Sequence, residues 1–223
     1  MRFHKPVAAA LALTAVAGLA ACGSNDDTVE SGSAPAAESN AAANAPVAKI
    51  DALSGQATSV TLDPAFVAGL TSLKLTPAPV GAAKIDAGVA TFPITGGNVT
   101  YFTPGSVSPF VQGKINHTGS GLSLTGGGTK VELTDFVVDP GASVLTGKVT
   151  ANGKVAAESA PLFFLDGRTL KALQPGSNDT AVLEGTTVSL TKEAADLLNK
   201  TYNVTALTPF FKVGIAKITV NTK

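Results

Sequence analysis

Over residues 89–157 apolar side chains alternate with polar ones in short runs, and the runs end in turn signals. Leu122 and Leu124 alternate ahead of Gly126-Gly127-Gly128, and Val131 and Leu133 alternate after it, the pattern of a hairpin. The run 136–138 stops at Asp139-Pro140-Gly141, with Pro and Gly in their usual turn places. Runs 144–149 and 154–157 flank Asn152-Gly153, a pair that accepts the positive backbone angles of a type I′ turn. The stretch 161–165 is a short, wholly apolar strand that ends at Asp166-Gly167. Further strands are predicted at 60–62, 72–75, 89–94, 98–102, 110–116, 186–190 and 213–220. Many short strands with a turn every ~8–12 residues specify an all-β fold, an antiparallel β-sandwich or flattened barrel.

Two short helices interrupt this pattern. Asp63-Pro64 supplies an N-cap and a first-turn proline, and Phe66, Val67 and Leu70 follow as an apolar face. Thr191 caps a second helix over 192–200, with Ala194, Leu197 and Leu198 on one side.

The single cysteine of the chain, Cys22, rules out a disulfide within the chain. It also explains the N-terminus. Arg2, His4 and Lys5 precede an uncharged apolar run over 7–19, the layout of a secretion signal too short to span a bilayer, which takes ~20 residues. Leu19-Ala20-Ala21-Cys22 then matches the bacterial lipobox, an aliphatic residue and two small residues before cysteine. Residues 1–21 are therefore expected to be a lipoprotein signal peptide, with Cys22 the lipid-attachment residue. Buried acyl methylenes contribute ~0.8 kcal/mol each, and stable anchoring takes more than one chain. Residues 22–49 are rich in Ser, Ala, Asn, Glu and Pro, without aromatic residues or apolar period, and are expected to be a disordered tether. A tether of that length reaches some 25–30 Å as a random coil. Residues 50–223 are then a single β-rich domain, held by its core alone.

Composition excludes some functions. The formal net charge is zero and the acids Asp26, Asp27, Glu30 and Glu38 lie in a segment without bases, so no dense basic face for nucleic acid exists. Trp is absent and Tyr occurs twice, which leaves few stacking platforms. Beyond the signal segment the one histidine is His117, and no Gly-x-Ser-x-Gly elbow accompanies it. One His and no Cys after Cys22 do not make a structural zinc site, so no metal is expected. Asp135 and Asp139 flank a strand and turn where acids commonly cap. Asn98, Asn116, Asn178 and Asn203 open glycosylation-type triplets, which carry no meaning in a bacterial lipoprotein.

One stretch is similar to a known family. Gly113-Lys114-Ile115-Asn116-His117-Thr118-Gly119, followed by Gly121-Leu122-Ser123-Leu124-Thr125 and the strand 131–133, resembles the core motif of haem-transport-associated surface domains of the HtaA type. Leu190-Thr191-Lys192-Glu193-Ala194-Ala195 and Leu198-Asn199-Lys200-Thr201-Tyr202 resemble that family's closing helix and aromatic. The resemblance spans about residues 89–220. It implies haem as a cofactor, bound by a tyrosine oxygen from the early part of the domain and supported by a histidine. His117 matches the supporting histidine and Tyr202 the later aromatic. Residues 47–94 hold no tyrosine, Tyr101 falls later than the family's ligand, and the family's opening tryptophan is absent.

These readings leave a candidate ligand-binding set of His117, Tyr202 and Tyr101. The competing reading of His117 is a hydrogen bond to a backbone carbonyl at a hairpin end. The leading functional expectation is a cell-envelope lipoprotein, held on the extracytoplasmic side of a cell membrane by its lipid, with a non-enzymatic binding or structural role. The alternative is a carrier of haem or of a small hydrophobic lipid ligand. Its partners would be the membrane and a ligand or envelope protein.

Overall fold

A computed structural model describes residues 45–223. The signal segment, Cys22 and nearly all of the tether lie outside the described residues. The chain forms β1 (Ala48–Ile50), β2 (Ala57–Leu62), α1 (Pro64–Ser72), β3 (Thr76–Gly81), β4 (Lys84–Asp86), β5 (Val89–Pro93), β6 (Gly96–Tyr101), β7 (Val111–Gly126), β8 (Thr129–Asp139), β9 (Val144–Ala151), β10 (Lys154–Asp166), β11 (Gln174–Pro175), β12 (Thr180–Leu190), α2 (Lys192–Tyr202) and β13 (Lys212–Asn221). All strand pairs between these elements are antiparallel, in the order β1-β6-β7-β8-β9-β10-β12-β13-β2-β5-β4, with β3 beside β7 and β11 beside β12. The sheet curls into a half-barrel, as the alternating pattern predicts, and its inner face carries the core.

Local chemistry sets the two helices. The Asp63 carboxylate accepts from the Ala65 amide at 2.9 Å, Pro64 opens α1, and Phe66 and Leu70 are buried. Thr191 Oγ1 accepts from the Ala194 amide at 3.1 Å, and α2 buries Ala194, Ala195 and Leu198. At its far end Asn203 takes φ 52°, a left-handed cap.

Three predicted segments differ. Residues 72–75 are not a strand. Leu73 caps α1, Lys74 turns with φ 56°, and the Leu75 amide donates back to the Leu70 carbonyl at 2.9 Å. The apolar Leu73 and Leu75 thus close a helix, and β3 starts at Thr76. Residues 110–116 and 122–125 are not separate strands but one 16-residue strand, β7. Its first part pairs with β6 and its second with β3, while β8 follows both. The break lies between His117 and Gly121, where β7 bulges against β8. Likewise β10 runs through 154–166 without a break, and its bulges absorb Pro161.

Candidate functional site

Strand alternation places His117. It is the last residue of β7 in register with β8 ahead of the bulge, opposite Phe136 and two residues on from the buried Ile115, so its imidazole faces the sheet's concave side, where it is 1% exposed. Side chains satisfy the bulge itself: Ser120 Oγ donates to the His117 carbonyl at 3.0 Å, and the Gly119 amide donates to Asp135 Oδ1 at 2.9 Å. Asp135 marks the matching irregularity of β8, with φ 54°. Gly121 is small for a direct reason: a Cβ there would lie 2.0 Å from the Leu133 carbonyl oxygen of β8.

Both ring nitrogens of His117 are engaged. Nδ1 lies 2.9 Å from the Pro93 carbonyl, and Nε2 lies 3.2 Å from Thr58 Oγ1. A carbonyl only accepts, so Nδ1 carries the proton and Nε2 accepts from the threonine hydroxyl. Burial holds the imidazole pKa below its ordinary value, against the hydrogen bonds to Pro93 and Phe92, so the ring is neutral. Thr58 lies on β2 and Pro93 on β5, neither of which neighbours β7 in the sheet order. His117 therefore ties the two flanks of the curled sheet together across its interior. Phe92 packs at an angle to the imidazole with centroids 6.3 Å apart, and Phe136 packs on Phe92 at 5.3 Å.

Around this tie lies a cavity of about 380 Å³. Its walls are rungs of the sheet. Leu183, Ile218, Thr58 and Phe92 are successive cross-strand partners on β12, β13, β2 and β5, and all four line it. Thr186, Ala216, Val60 and Ala90 repeat the arrangement one rung along. Phe136, Val138 and Leu145 line it from β8 and β9. The exposed members of the lining, Ser108, Pro109 and Arg168, belong to the loop before β7 and the turn after β10. The charged residues of the lining pair with each other: Arg168 donates to Asp166 through Nε at 2.9 Å and Nη2 at 2.8 Å. These hydrogen bonds hold the Asp166 carboxyl below the usual carboxylate range.

A second cavity, of about 270 Å³, lies where β1, β6 and β7 face β12 and β13. Tyr101 lines it and packs edge-on against Phe110 with centroids 5.9 Å apart. Tyr202 lines neither cavity. Its half-buried hydroxyl donates to the Leu124 carbonyl at 2.5 Å, and burial raises its pKa. The structure thus separates the three candidates: His117 in the first cavity, Tyr101 in the second, Tyr202 outside both. Sequence reading missed Thr58 and the aliphatic rungs. Alternation in β2, β12 and β13 marks an inner face, but not which rungs leave a space.

No protein-family model matches the chain, and no curated protein matches it. Among solved structures, the C-terminal domain of HtaA from Corynebacterium glutamicum is similar, with 13% identity and a TM-score of 0.53 over 76% of this chain and 97% of that one. A histidine-to-alanine variant of that domain, crystallised as a domain-swapped dimer, matches with 15% identity and a TM-score of 0.45 over 70% and 88% of the two chains. The first likeness shows a shared fold, the fold that the HtaA-type resemblance implies.

The haem arrangement implied by that resemblance needs a tyrosine oxygen supported by a histidine. In this chain the hydroxyl on His117 belongs to Thr58, an alcohol that is not readily ionised, whereas the tyrosine that ligates haem iron does so as a phenolate. Neither Tyr101 nor Tyr202 hydrogen-bonds to His117. The residues present do not assemble the tyrosine–histidine pair.

Proposed function

We propose that this chain is a lipid-anchored, extracytoplasmic binding protein that carries a small hydrophobic ligand inside its curled sheet, without acting on it chemically. One observation carries the reading: an apolar cavity of about 380 Å³, walled by aligned sheet rungs, in which His117 is paired with Thr58 and Asp166 with Arg168. That volume falls in the ~300–1,000 Å³ range of small-molecule sites. The engagement of both His117 nitrogens supports a role without proton transfer. The lipobox at Leu19-Ala20-Ala21-Cys22 supports the anchor and the location.

Native mass spectrometry of the protein purified from its own host tests the reading. A co-purifying apolar molecule that is displaced by Ala90→Phe, which fills the cavity wall, is the expected result; recovery without any ligand, and no uptake of fatty acid or lipid added afterwards, sinks it. Haem is the second reading, favoured by the shared fold. A haemin Soret shift that disappears in Tyr101→Phe would establish it in place of the first. For the anchor, fatty-acid labelling is expected in the parent and absent in Cys22→Ser; a labelled variant would overturn it.

A further inference from the structure

Leu183 of β12 and Ile218 of β13 face each other across the ladder, and both line both cavities. Val111 and Pro140 are shared as well. To one side of the Leu183–Ile218 rung come Thr186–Ala216 and then Val188, in the first cavity; to the other comes Ala181–Val220, in the second. The two spaces therefore follow each other along the same strands. From Ala181 to Val188 an extended strand covers about 24 Å, less a little for the bulge at Glu184–Thr186. A bilayer core about 30 Å thick takes two acyl chains end to end, so one long chain needs about 15 Å. The trough exceeds that length; the first cavity's share of it, Leu183 to Val188, is about 17 Å and also has to seat a headgroup, and the second cavity continues it past Leu183 to Ala181.

The rim of the first cavity supplies a polar end. Asp166 engages Arg168 through Nε and Nη2 and so orients it. The rest of the guanidinium, with 88% of the side chain exposed, keeps N–H donors for a second anion. Ser108, a hydroxyl at the same rim, is exposed.

We propose that the two cavities hold one long-chain amphiphile with a single anionic headgroup, the head on Arg168 and the chain running past Leu183 and Ile218 into the second cavity. The proposal rests on the carrier reading and names its ligand class. A carboxylate and a phosphate monoester share the chemistry Arg168 recognises.

Binding of decanoate, palmitate, hexadecanol and palmitoyl lysophosphatidate to the purified protein, measured by calorimetry and native mass spectrometry, tests it. Palmitate is expected to bind at least ~10-fold tighter than decanoate. Ala181→Phe, which fills the second cavity, is expected to bring palmitate down to the decanoate level and leave decanoate unchanged; Leu173→Trp, from a half-buried loop position of the same lining, serves if Ala181→Phe does not fold. Arg168→Gln is expected to weaken palmitate and leave hexadecanol unchanged. The lysophosphatidate arm tells the two head chemistries apart by its affinity relative to palmitate. Equal binding of decanoate and palmitate, or equal loss of both in Ala181→Phe and Leu173→Trp, overturns the two-cavity site while the carrier reading stands. Equal binding of palmitate and hexadecanol overturns the headgroup. Failure of every chain to bind overturns the carrier reading too.

Discussion

His117 Nε2 accepts a hydrogen bond from Thr58 Oγ1 at 3.2 Å across the interior of a curled sheet, between strands that are not neighbours in its hydrogen-bonding order. With the 2.9 Å bond from Nδ1 to Pro93, one side chain of β7 holds two strands of the opposite flank. The sheet path runs from β1 to β4 and the ladder does not close on itself. A cavity in an unclosed sheet needs its flanks fixed by other means, and this pair does so at the cavity wall. The competing expectation for His117, a bond to a backbone carbonyl, describes half of what it does.

Thr58→Val keeps the shape and removes the hydroxyl. It leaves Nε2 buried without a donor, which costs about 1–3 kcal/mol. Thr58→Ser keeps the donor and should remain within about 1 kcal/mol of the parent, for the lost methyl. Urea denaturation should show the valine midpoint well below the serine midpoint, with equal slopes. Equal midpoints for the two variants would mean that the bond adds nothing to stability.

Stability should fall as pH drops below the ordinary imidazole value of 6.5. The folded His117 has a depressed pKa, so under mild acid the unfolded chain binds a proton that the folded chain refuses. The contribution is fully present above that value and is lost as pH falls towards the folded pKa. The lowered carboxyls Asp63, Asp166 and Glu184 act in the same direction but in the lower, carboxylate range. Thermal melts between about pH 7.5 and about pH 5 separate the two, because His117→Gln should flatten that span. A parent protein whose melting temperature is level across it would refute the account.

The parts legible in the sequence were those with local causes. Asp63-Pro64 and Thr191 announce helix starts because a cap and its helix lie within one turn. Asn152-Gly153 announces a hairpin because its backbone angles are confined to two residues, with φ 48° and 77°. The continuity of β7 was not legible: Gly119 and Gly121 look like turn residues, and here they allow a bulge and a close strand approach instead. Nor was the site. Thr58 meets His117 from 59 positions away. Leu183 and Ile218 become neighbours through strand register, which alternation alone does not specify.

Tyr202→Phe separates fold from site. The hydroxyl bonds the Leu124 carbonyl on β7, outside both cavities. Its loss should cost about 1 kcal/mol, read from the denaturation midpoint. Affinity for whatever ligand the protein carries should not change. A tyrosine that ligates the cargo would give the opposite pattern, lost binding with stability nearly intact.

Gly121→Ala tests whether backbone approach sets the β7–β8 register next to His117. The added Cβ would lie 2.0 Å from the Leu133 carbonyl oxygen and 2.8 Å from the Thr134 Cα, and neither atom is the end of a flexible side chain. Gly121 has no positive φ, so the cost is steric, of the overpacking kind, about 1–3 kcal/mol. Gly167→Ala is the control, since a Cβ there meets nothing within 4 Å and its φ is not positive either; it should stay within about 0.5 kcal/mol. Relief of the clash means parting β7 from β8 at the bulge that follows His117. Amide exchange in the Gly121 variant should therefore rise first at residues 120–123 of β7 and at their partners Glu132, Leu133 and Thr134. Uniform acceleration over the whole sheet would show instead that the bulge is no separate unit of the fold.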